Sequence, residues 1–193
     1  MTMPSPKLAH VVYRTHRMDE MLAWYRTVFG ARVVYRNPAL AFLTFDDEHH
    51  RFALADLAVI APDCEAATQA PVGLDHVAFE VPSLRALLES WESLKASRIE
   101  PYWCVNHGMS ASLYYADPDG NQIEFSVDCF ASKAECSDYF AGEAIGANPV
   151  GTEYDPADWL ARLRRGEAEA ALLAIDPAGP VSPIRGRMET LAE

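Results

Sequence analysis

An internal repeat constrains the fold of this chain more than any other sequence feature. Residues 8–15 read LAHVVYRT and residues 74–81 read LDHVAFEV, so each copy opens with a short alternating strand that has a histidine near its start. A repeat of this size cannot bury a sheet face alone, because its hydrophobic face needs a partner. The repeat therefore predicts that two similar α+β modules pack together.

Both copies continue in the same order after the first strand. Amphipathic helices are predicted over residues 18–29, ended by Gly30, and over residues 83–96, capped by Ser83. Three β segments follow each helix, at residues 31–37, 39–45 and 51–59 in the first copy and at 99–105, 111–115 and 122–128 in the second. The sequence thus predicts two β-α-β-β-β modules, at about residues 8–60 and 74–128, that form one curved mixed sheet around a shared cavity.

Residues 131–193 fall outside the repeat. A helix is predicted over residues 131–144, and Asp155 with Pro156 begins a second one that has Trp159, Leu160 and Leu163 on one side. From Asp176 onward, proline and glycine indicate an arm or tail. We therefore expect one domain over residues 1–130 and a helical extension over 131–193. An exposed Trp159 would favour packing across a neighbouring subunit, and so a homodimer or larger assembly.

Composition narrows the classes of partner. The chain has 28 acidic and 16 basic residues and a formal charge of −12, which argues against a nucleic acid and for a small molecule. No apolar run approaches the roughly 20 residues that a membrane span needs. The start of the chain lacks the pattern of a signal peptide. Four scattered cysteines without a CxxC predict neither a zinc knuckle nor a disulfide framework, so we expect a reducing cytoplasm.

Three residues of the repeat are candidates for metal binding. Glu124 lies between Ile123 and Phe125 on the last strand, and an acid there is costly to bury unless it is paired or binds a metal. His10 and His76 occupy matched positions of the two copies. One such histidine is more often a hydrogen-bonded core residue, and one such carboxylate more often faces water. The combination of two matched histidines and a carboxylate favours a ligand set.

The two modules, over residues 8 to about 130, resemble the vicinal oxygen chelate superfamily, which includes glyoxalase I, fosfomycin- and bleomycin-resistance proteins and type I extradiol dioxygenases. The resemblance implies paired βαβββ modules that form a cupped sheet with a divalent metal in the cup. His10, His76 and Glu124 then form the two-histidine, one-carboxylate set of non-haem Fe(II) oxygenases, with Mn(II) as the alternative metal. Aligning the copies places Leu54 opposite Glu124, where glyoxalase I has a further carboxylate, so three protein ligands are expected.

The same resemblance suggests an acid–base residue in the first module. His49 and His50 precede an apolar strand, as a histidine pair does in extradiol dioxygenases. Consecutive strand residues point to opposite faces, and His50 shares parity with Phe52 and Leu54. We therefore expect His50 to be the acid–base group. Without the resemblance, the pair would be interpreted as a solvated hairpin tip.

Two further catalytic residues are expected in the second module. Tyr114 lies ten residues before Glu124, and a hairpin with residues 117–121 as its loop puts both side chains on one face. In extradiol dioxygenases a tyrosine at this place bonds the substrate oxygen. His107, within the sequence Asn106-His107-Gly108, resembles a His-Gly element that precedes the tyrosine strand.

The resemblance as a whole implies an Fe(II)-dependent extradiol dioxygenase that opens a catechol-type ring with O₂. Tyr102, Trp103 and Phe125 are candidates for an aromatic pocket wall, although aromatic residues at strand spacing are more often core. Two alternatives stay open at this point. One is a metal-dependent lyase, isomerase or thiol transferase on the same fold. The other is a metal-free drug-binding module, which the histidine and glutamate trio disfavours.

Overall fold

In a computed structural model of the chain, residues 8–62, 74–175 and 179–186 are described. They divide into two compact units, each of which contains one module of the repeat. The first unit takes in the described residues up to 62 together with Asp117–Asp119, and the second takes in the rest. The C-terminal segment thus belongs to the same unit as the second module, and a domain boundary at residue 130 stays a prediction.

The first unit contains a four-stranded mixed sheet and two helices. Its elements are β1 (Val11–Thr15), α1 (Met18–Phe29), β2 (Arg32–Arg36), β3 (Leu40–Thr44), β4 (Phe52–Asp56) and α2 (Leu57–Ile60). The strand order is β1-β4-β3-β2, with β1 parallel to β4 and the other pairs antiparallel. The helix predicted over residues 18–29 is confirmed, and it ends at Gly30 in the left-handed conformation, with φ 62°.

Aromatic residues form the core between α1 and the sheet of the first unit. The fully buried Tyr25 of α1 lies with its ring 4.5 Å from that of Phe52 and 5.9 Å from that of Tyr13. Strand β4 is shorter than predicted. It ends at Asp56, because the Asp56 carboxylate accepts a hydrogen bond from the Ala58 amide and begins helix α2.

The second unit contains a five-stranded sheet in the order β5-β8-β7-β6-β9, with β5 parallel to β8. Its elements are β5 (His76–Glu80), α3 (Leu84–Ala96), β6 (Trp103–Asn106), β7 (Ser110–Ala116), β8 (Gln122–Asp128), α4 (Lys133–Ala141), α5 (Glu143–Ala147), β9 (Thr152–Glu153), α6 (Pro156–Arg164) and α7 (Glu169–Leu173). Ser83 caps α3 as predicted, and its hydroxyl accepts a hydrogen bond from the Ala86 amide at 3.1 Å. The predicted hairpin of β7 and β8 is also confirmed.

The C-terminal segment is part of the second unit's packing. Strand β9 extends the sheet beside β6, and α6 lies against α3. Asp155 caps α6 as predicted. The expectation of an exposed Trp159 is wrong, because this side chain is buried and its ring stacks on Tyr154 with centroids 3.9 Å apart. Trp159 therefore gives no support to packing across a subunit boundary.

The α+β class and the order of elements in each module are as predicted. The strands form two hydrogen-bonded sheets, one in each unit. The repeat had predicted one continuous sheet. Among the described residues, no helix has the length and apolar character needed to cross a membrane.

Candidate active site

His76 and Glu124 form a close pair on one face of the second unit's sheet. Strands β5 and β8 are parallel neighbours, and their register pairs Ala78 with Glu124, so His76 and Glu124 project from the same face. The Nε2 atom of His76 lies 3.1 Å from Oε2 of Glu124. Glu124 is buried, with 7% of its surface exposed, so this carboxylate depends on its partners for its charge.

A second polar group bonds the atom of His76, and likewise the atom of Glu124, that does not take part in their mutual contact. The Nδ1 atom of His76 lies 2.7 Å from Oδ2 of Asp75, and the hydroxyl of Ser112 donates to Oε1 of Glu124 at 2.6 Å. The hydrogen bond to Glu124, opposed by burial and aided by Asp75, raises the pKa of His76 to about 9. Burial alone would raise the pKa of Glu124, but the hydrogen bonds from His76 and Ser112 bring it below its usual value.

Tyr114 and His107 lie next to this pair. The register pairs Tyr114 with Glu124, as predicted, and the Tyr114 ring meets the edge of His76 with centroids 5.5 Å apart. The Tyr114 hydroxyl lies 3.0 Å from Nε2 of His107. Burial, followed by the charge of Glu124, raises the pKa of Tyr114, so its phenol keeps its proton.

The surroundings of His107 fix its protonation. Its Nδ1 atom faces the carbonyl of Val150, an acceptor, so Nδ1 carries the hydrogen and Nε2 is left to accept from Tyr114. Burial lowers the pKa of His107 and outweighs the opposing effect of the Val150 carbonyl, which keeps the imidazole neutral. A neutral base and a protonated phenol therefore share one hydrogen bond at this site.

The backbone around His107 is shaped by two glycines. Gly108 has φ 89°, and its amide donates to the side chain of Asn106 at 2.8 Å. Gly151 has φ 110° and lies so close that an added Cβ would stand 2.8 Å from Cα of His107. Sequence reasoning missed Val150 and Gly151 because they lie in the segment outside the repeat. The positive φ values indicate why glycine is needed at both places.

Aromatic rings line the same face. The Trp103 ring stacks on that of Tyr114 with centroids 4.9 Å apart, and the centroid of the Tyr102 ring lies 6.2 Å from that of Tyr114. The expectation for Phe125 as a pocket wall is wrong. Strand residues alternate between faces, and Phe125 lies on the face opposite Glu124, where it packs against Tyr115 and Phe79.

In the first unit, His10 and His50 lie together. Their rings stack with centroids 4.4 Å apart, and His50 also stacks on Phe42 at 4.9 Å. Burial, followed by the charges of His10 and His49, lowers the pKa of His50, which favours its neutral form. His49 is exposed, and its Nε2 lies 3.3 Å from a carboxylate oxygen of Glu48. His50 is thus the member of the pair that packs on His10.

The register of the first unit corrects one step of the sequence argument. When His10 is matched to His76, the pairing of Val12 with Ala53 corresponds to that of Ala78 with Glu124. Ala53 therefore stands at the position assigned to Leu54, which lies on the opposite face of the strand. The strand parity by which His50 was chosen was wrong for the same reason. His50 also lies before the start of β4, so the alternation of strand side chains does not decide where it points. Like leucine, alanine is not a metal ligand, so the first module still offers no carboxylate at the position that matches Glu124.

The predicted ligands can be tested against this geometry. In the described part of the chain, no group of three or more His, Cys, Asp or Glu side chains is arranged to hold a metal ion. His76 and Glu124 nevertheless fit two places of such a set. Ligands of one ion at about 2.1 Å stand about 3 Å apart, close to the separation of this pair. Metal-binding histidines also commonly donate their second N–H to a carboxylate, as His76 does to Asp75. His10 stays a sequence-based prediction as the third ligand.

Comparisons with known proteins identify the family to which the chain belongs. A family model described as the glyoxalase/bleomycin resistance protein/dioxygenase superfamily matches residues 7–125. Biphenyl-2,3-diol 1,2-dioxygenase 2 of Rhodococcus globerulus is 44% identical over 153 residues, which are 79% of this chain and 78% of that protein. Biphenyl-2,3-diol 1,2-dioxygenase 3 of the same organism is 41% identical over 168 residues, 87% of each chain.

Among solved structures, a glyoxalase/bleomycin resistance protein/dioxygenase from Nocardioides superposes with a TM-score of 0.54 at 23% identity. The match covers 68% of this chain and 89% of that one. At this identity the likeness concerns the fold.

Proposed function

Because the chain belongs to the glyoxalase/bleomycin resistance protein/dioxygenase superfamily, we propose that it is an extradiol dioxygenase that opens a catechol-type ring with O₂. The names of both R. globerulus relatives describe this chemistry, since a 1,2-dioxygenase of a 2,3-diol breaks the bond beside the two hydroxyls. The observation that carries the proposal is the His76–Glu124 pair with the Tyr114–His107 pair next to it on one sheet face.

A divalent metal is part of this proposal. His76 and Glu124 would hold it, with His10 as the third ligand that the matched repeat positions predict. When bound, the metal would supply Lewis acidity that favours loss of the catechol protons and would serve as a template for the diol. Fe(II) is the metal that this ligand set favours, and Mn(II) is the alternative.

The chain's own residues divide the remaining tasks. Ser112 orients Glu124 by donating a hydrogen bond to Oε1, the carboxylate oxygen that does not face His76. Asp75 orients His76 through Nδ1, the ring nitrogen that does not face Glu124. Tyr114, with its proton retained, can donate a hydrogen bond to a substrate oxygen. His107, neutral and held by Val150, accepts this same O–H before substrate binds, so it orients the Tyr114 hydroxyl until a substrate oxygen takes its place as acceptor.

His50 is the second acid–base residue of the proposal. Its neutral imidazole can act as a base toward a bound substrate, which is the role that the resemblance to extradiol dioxygenases implies. It packs on His10, the predicted ligand of the first unit. Its function stays a prediction.

The aromatic rings suggest the kind of diol that is preferred. Trp103 on β6 extends the face of Tyr114 on the side away from Glu124, and stacked aromatic rings favour a flat apolar group. An aryl-substituted catechol such as biphenyl-2,3-diol supplies such a group beside its two hydroxyls. We therefore propose an aryl catechol as substrate.

An assay with several metals and substrates tests the proposed function. Protein purified without oxygen would be analysed for metal, loaded with Fe(II) or Mn(II), and followed by O₂ uptake with biphenyl-2,3-diol and with unsubstituted catechol. We expect uptake with the diol and formation of a yellow ring-opened product. Absence of uptake with every catechol in Fe(II)-loaded protein would favour the lyase or transferase alternative.

The homo-oligomeric state and the cytoplasmic location remain predictions. Light scattering at micromolar concentration tests the first of them. A monomer would contradict the expected dimer or larger assembly.

A further inference from the structure

The C-terminal segment over residues 179–186 is anchored to the sheet of the second unit. The Ser182 amide donates to the Gly151 carbonyl at 2.8 Å, and the indole N–H of Trp103 donates to the Ser182 hydroxyl at 2.9 Å. Arg185 donates to a carboxylate oxygen of Glu153 on β9 at 2.9 Å. Trp103 and Ser182 are both buried, so residues 179–186 pack against the sheet of the second unit as an arm.

Gly186, in this segment, lies against Gln122. Gly186 has φ 81°, and a Cβ added there would overlap Oε1 of Gln122 and stand 2.9 Å from the ring of Tyr102. Gln122 is buried with 6% of its surface exposed, and the Tyr102 hydroxyl donates to the same oxygen at 3.0 Å. The absence of a side chain at Gly186 therefore sets where the amide of Gln122 lies.

Gln122 in turn supports the segment that carries His76. Its Nε2 donates to the main-chain carbonyl of Asp75 at 3.0 Å, and the Asp75 carboxylate lies 2.7 Å from Nδ1 of His76. Gln122 also pairs with His76 in the register of β8 and β5. A continuous set of contacts therefore joins Gly186 to the imidazole through Gln122 and Asp75.

We propose that Gly186 and Gln122 are positioning residues for His76, so that the C-terminal segment helps to set the orientation of this imidazole. The inference rests on the proposed function in so far as His76 is a metal ligand. Gln122 shares a sheet face with Glu124, and its amide acts on the His76 segment through Asp75. Their effect should be on metal affinity, because partners behind a ligand typically change affinity by about 10–100-fold.

Two glycine substitutions separate this effect from backbone strain. Gly186→Ala introduces both a strained φ and the overlap with Gln122, whereas Gly166→Ala introduces similar strain, at φ 93°, into space where no atom lies within 4 Å. Each variant would be titrated with Mn(II) without oxygen, and free Mn(II) followed by electron paramagnetic resonance. We expect Gly186→Ala to bind about tenfold or more weakly than Gly166→Ala.

A double-substitution cycle tests whether the effect passes through Gln122. Gln122→Ala should weaken Mn(II) binding by itself. Adding Gly186→Ala should weaken Mn(II) binding little further, because the Gln122 side chain that passes the overlap on to Asp75 is gone. Full additivity of the two losses would contradict the proposed path.

A readout without metal keeps the inference separate from the proposed function. In metal-free protein, the Nδ1–H resonance of His76, identified by its loss in His76→Gln, should be present in Gly166→Ala and lost or broadened in Gly186→Ala. Wild-type protein that binds no metal would refute the proposed site, while this comparison would still decide the positioning role. An unchanged resonance and unchanged Mn(II) affinity in Gly186→Ala would overturn the inference.

Discussion

Removing the hydroxyl of Ser112 tests how the candidate site holds its buried charge. Ser112 is fully buried, its hydroxyl donates to Oε1 of Glu124 at 2.6 Å, and Glu124 is 7% exposed. Hydrogen bonds to charged groups contribute about 1.5–3 kcal/mol, and a buried acceptor left without its donor costs a similar amount. We therefore expect Ser112→Ala to lower the free energy of unfolding of metal-free protein by about 2 kcal/mol.

Urea unfolding of the metal-free protein at neutral pH measures this loss. For a chain of this length, about 2 kcal/mol corresponds to a fall of roughly 4–8 °C in Tm. Ser110→Ala, two residues earlier on β7, is the control because it leaves the contact with Glu124 intact. The same Ser112→Ala protein should bind a divalent metal about 10–100-fold more weakly. Equal stability of the two alanine variants would refute the argument that Ser112 supports the Glu124 carboxylate.

Three further predictions concern the catalytic residues and the C-terminal segment. Tyr114→Phe keeps the stacked ring but loses the hydroxyl, so O₂ uptake with the diol should fall by about 10² or more at unchanged metal content. His50→Asn should lower turnover by ~10²–10⁴ while His49→Asn changes it little, since His49 is exposed; a larger effect of His49→Asn would contradict the assignment. Trp159→Ala should cost about 3–5 kcal/mol in urea unfolding because it empties a core position, whereas exposed Phe130→Ala should cost far less; similar losses would argue against a packed C-terminal segment.

Local signals in the sequence were sufficient for most elements of the repeat. Helix α1 begins and ends as its apolar spacing and Gly30 predicted, and the register of Tyr114 with Glu124 followed from the turn residues between them. Both depend on neighbours close in sequence. Such contacts are formed wherever the chain adopts the local conformation, so they can be predicted without the rest of the fold.

Contacts between distant residues were not predictable in the same way. Matching Leu54 to Glu124 erred by one residue, and a one-residue slip moves a strand side chain to the other face. Val150 supports His107 from 43 positions further along the chain. Ser182 supports Trp103 from 79 positions further along. Neither partner lies in the repeat, so no internal comparison could have identified it.

Incorporation of ¹⁸O₂ into the product tests whether this chain is an extradiol dioxygenase. Fe(II)-loaded protein would be supplied with biphenyl-2,3-diol and ¹⁸O₂, and the product analysed promptly by mass spectrometry. We expect one ring-opened product that has gained both labelled oxygen atoms, and no such product from protein with Glu124→Ala. A product that gains one labelled atom or none would contradict the assignment of this chain as an extradiol dioxygenase.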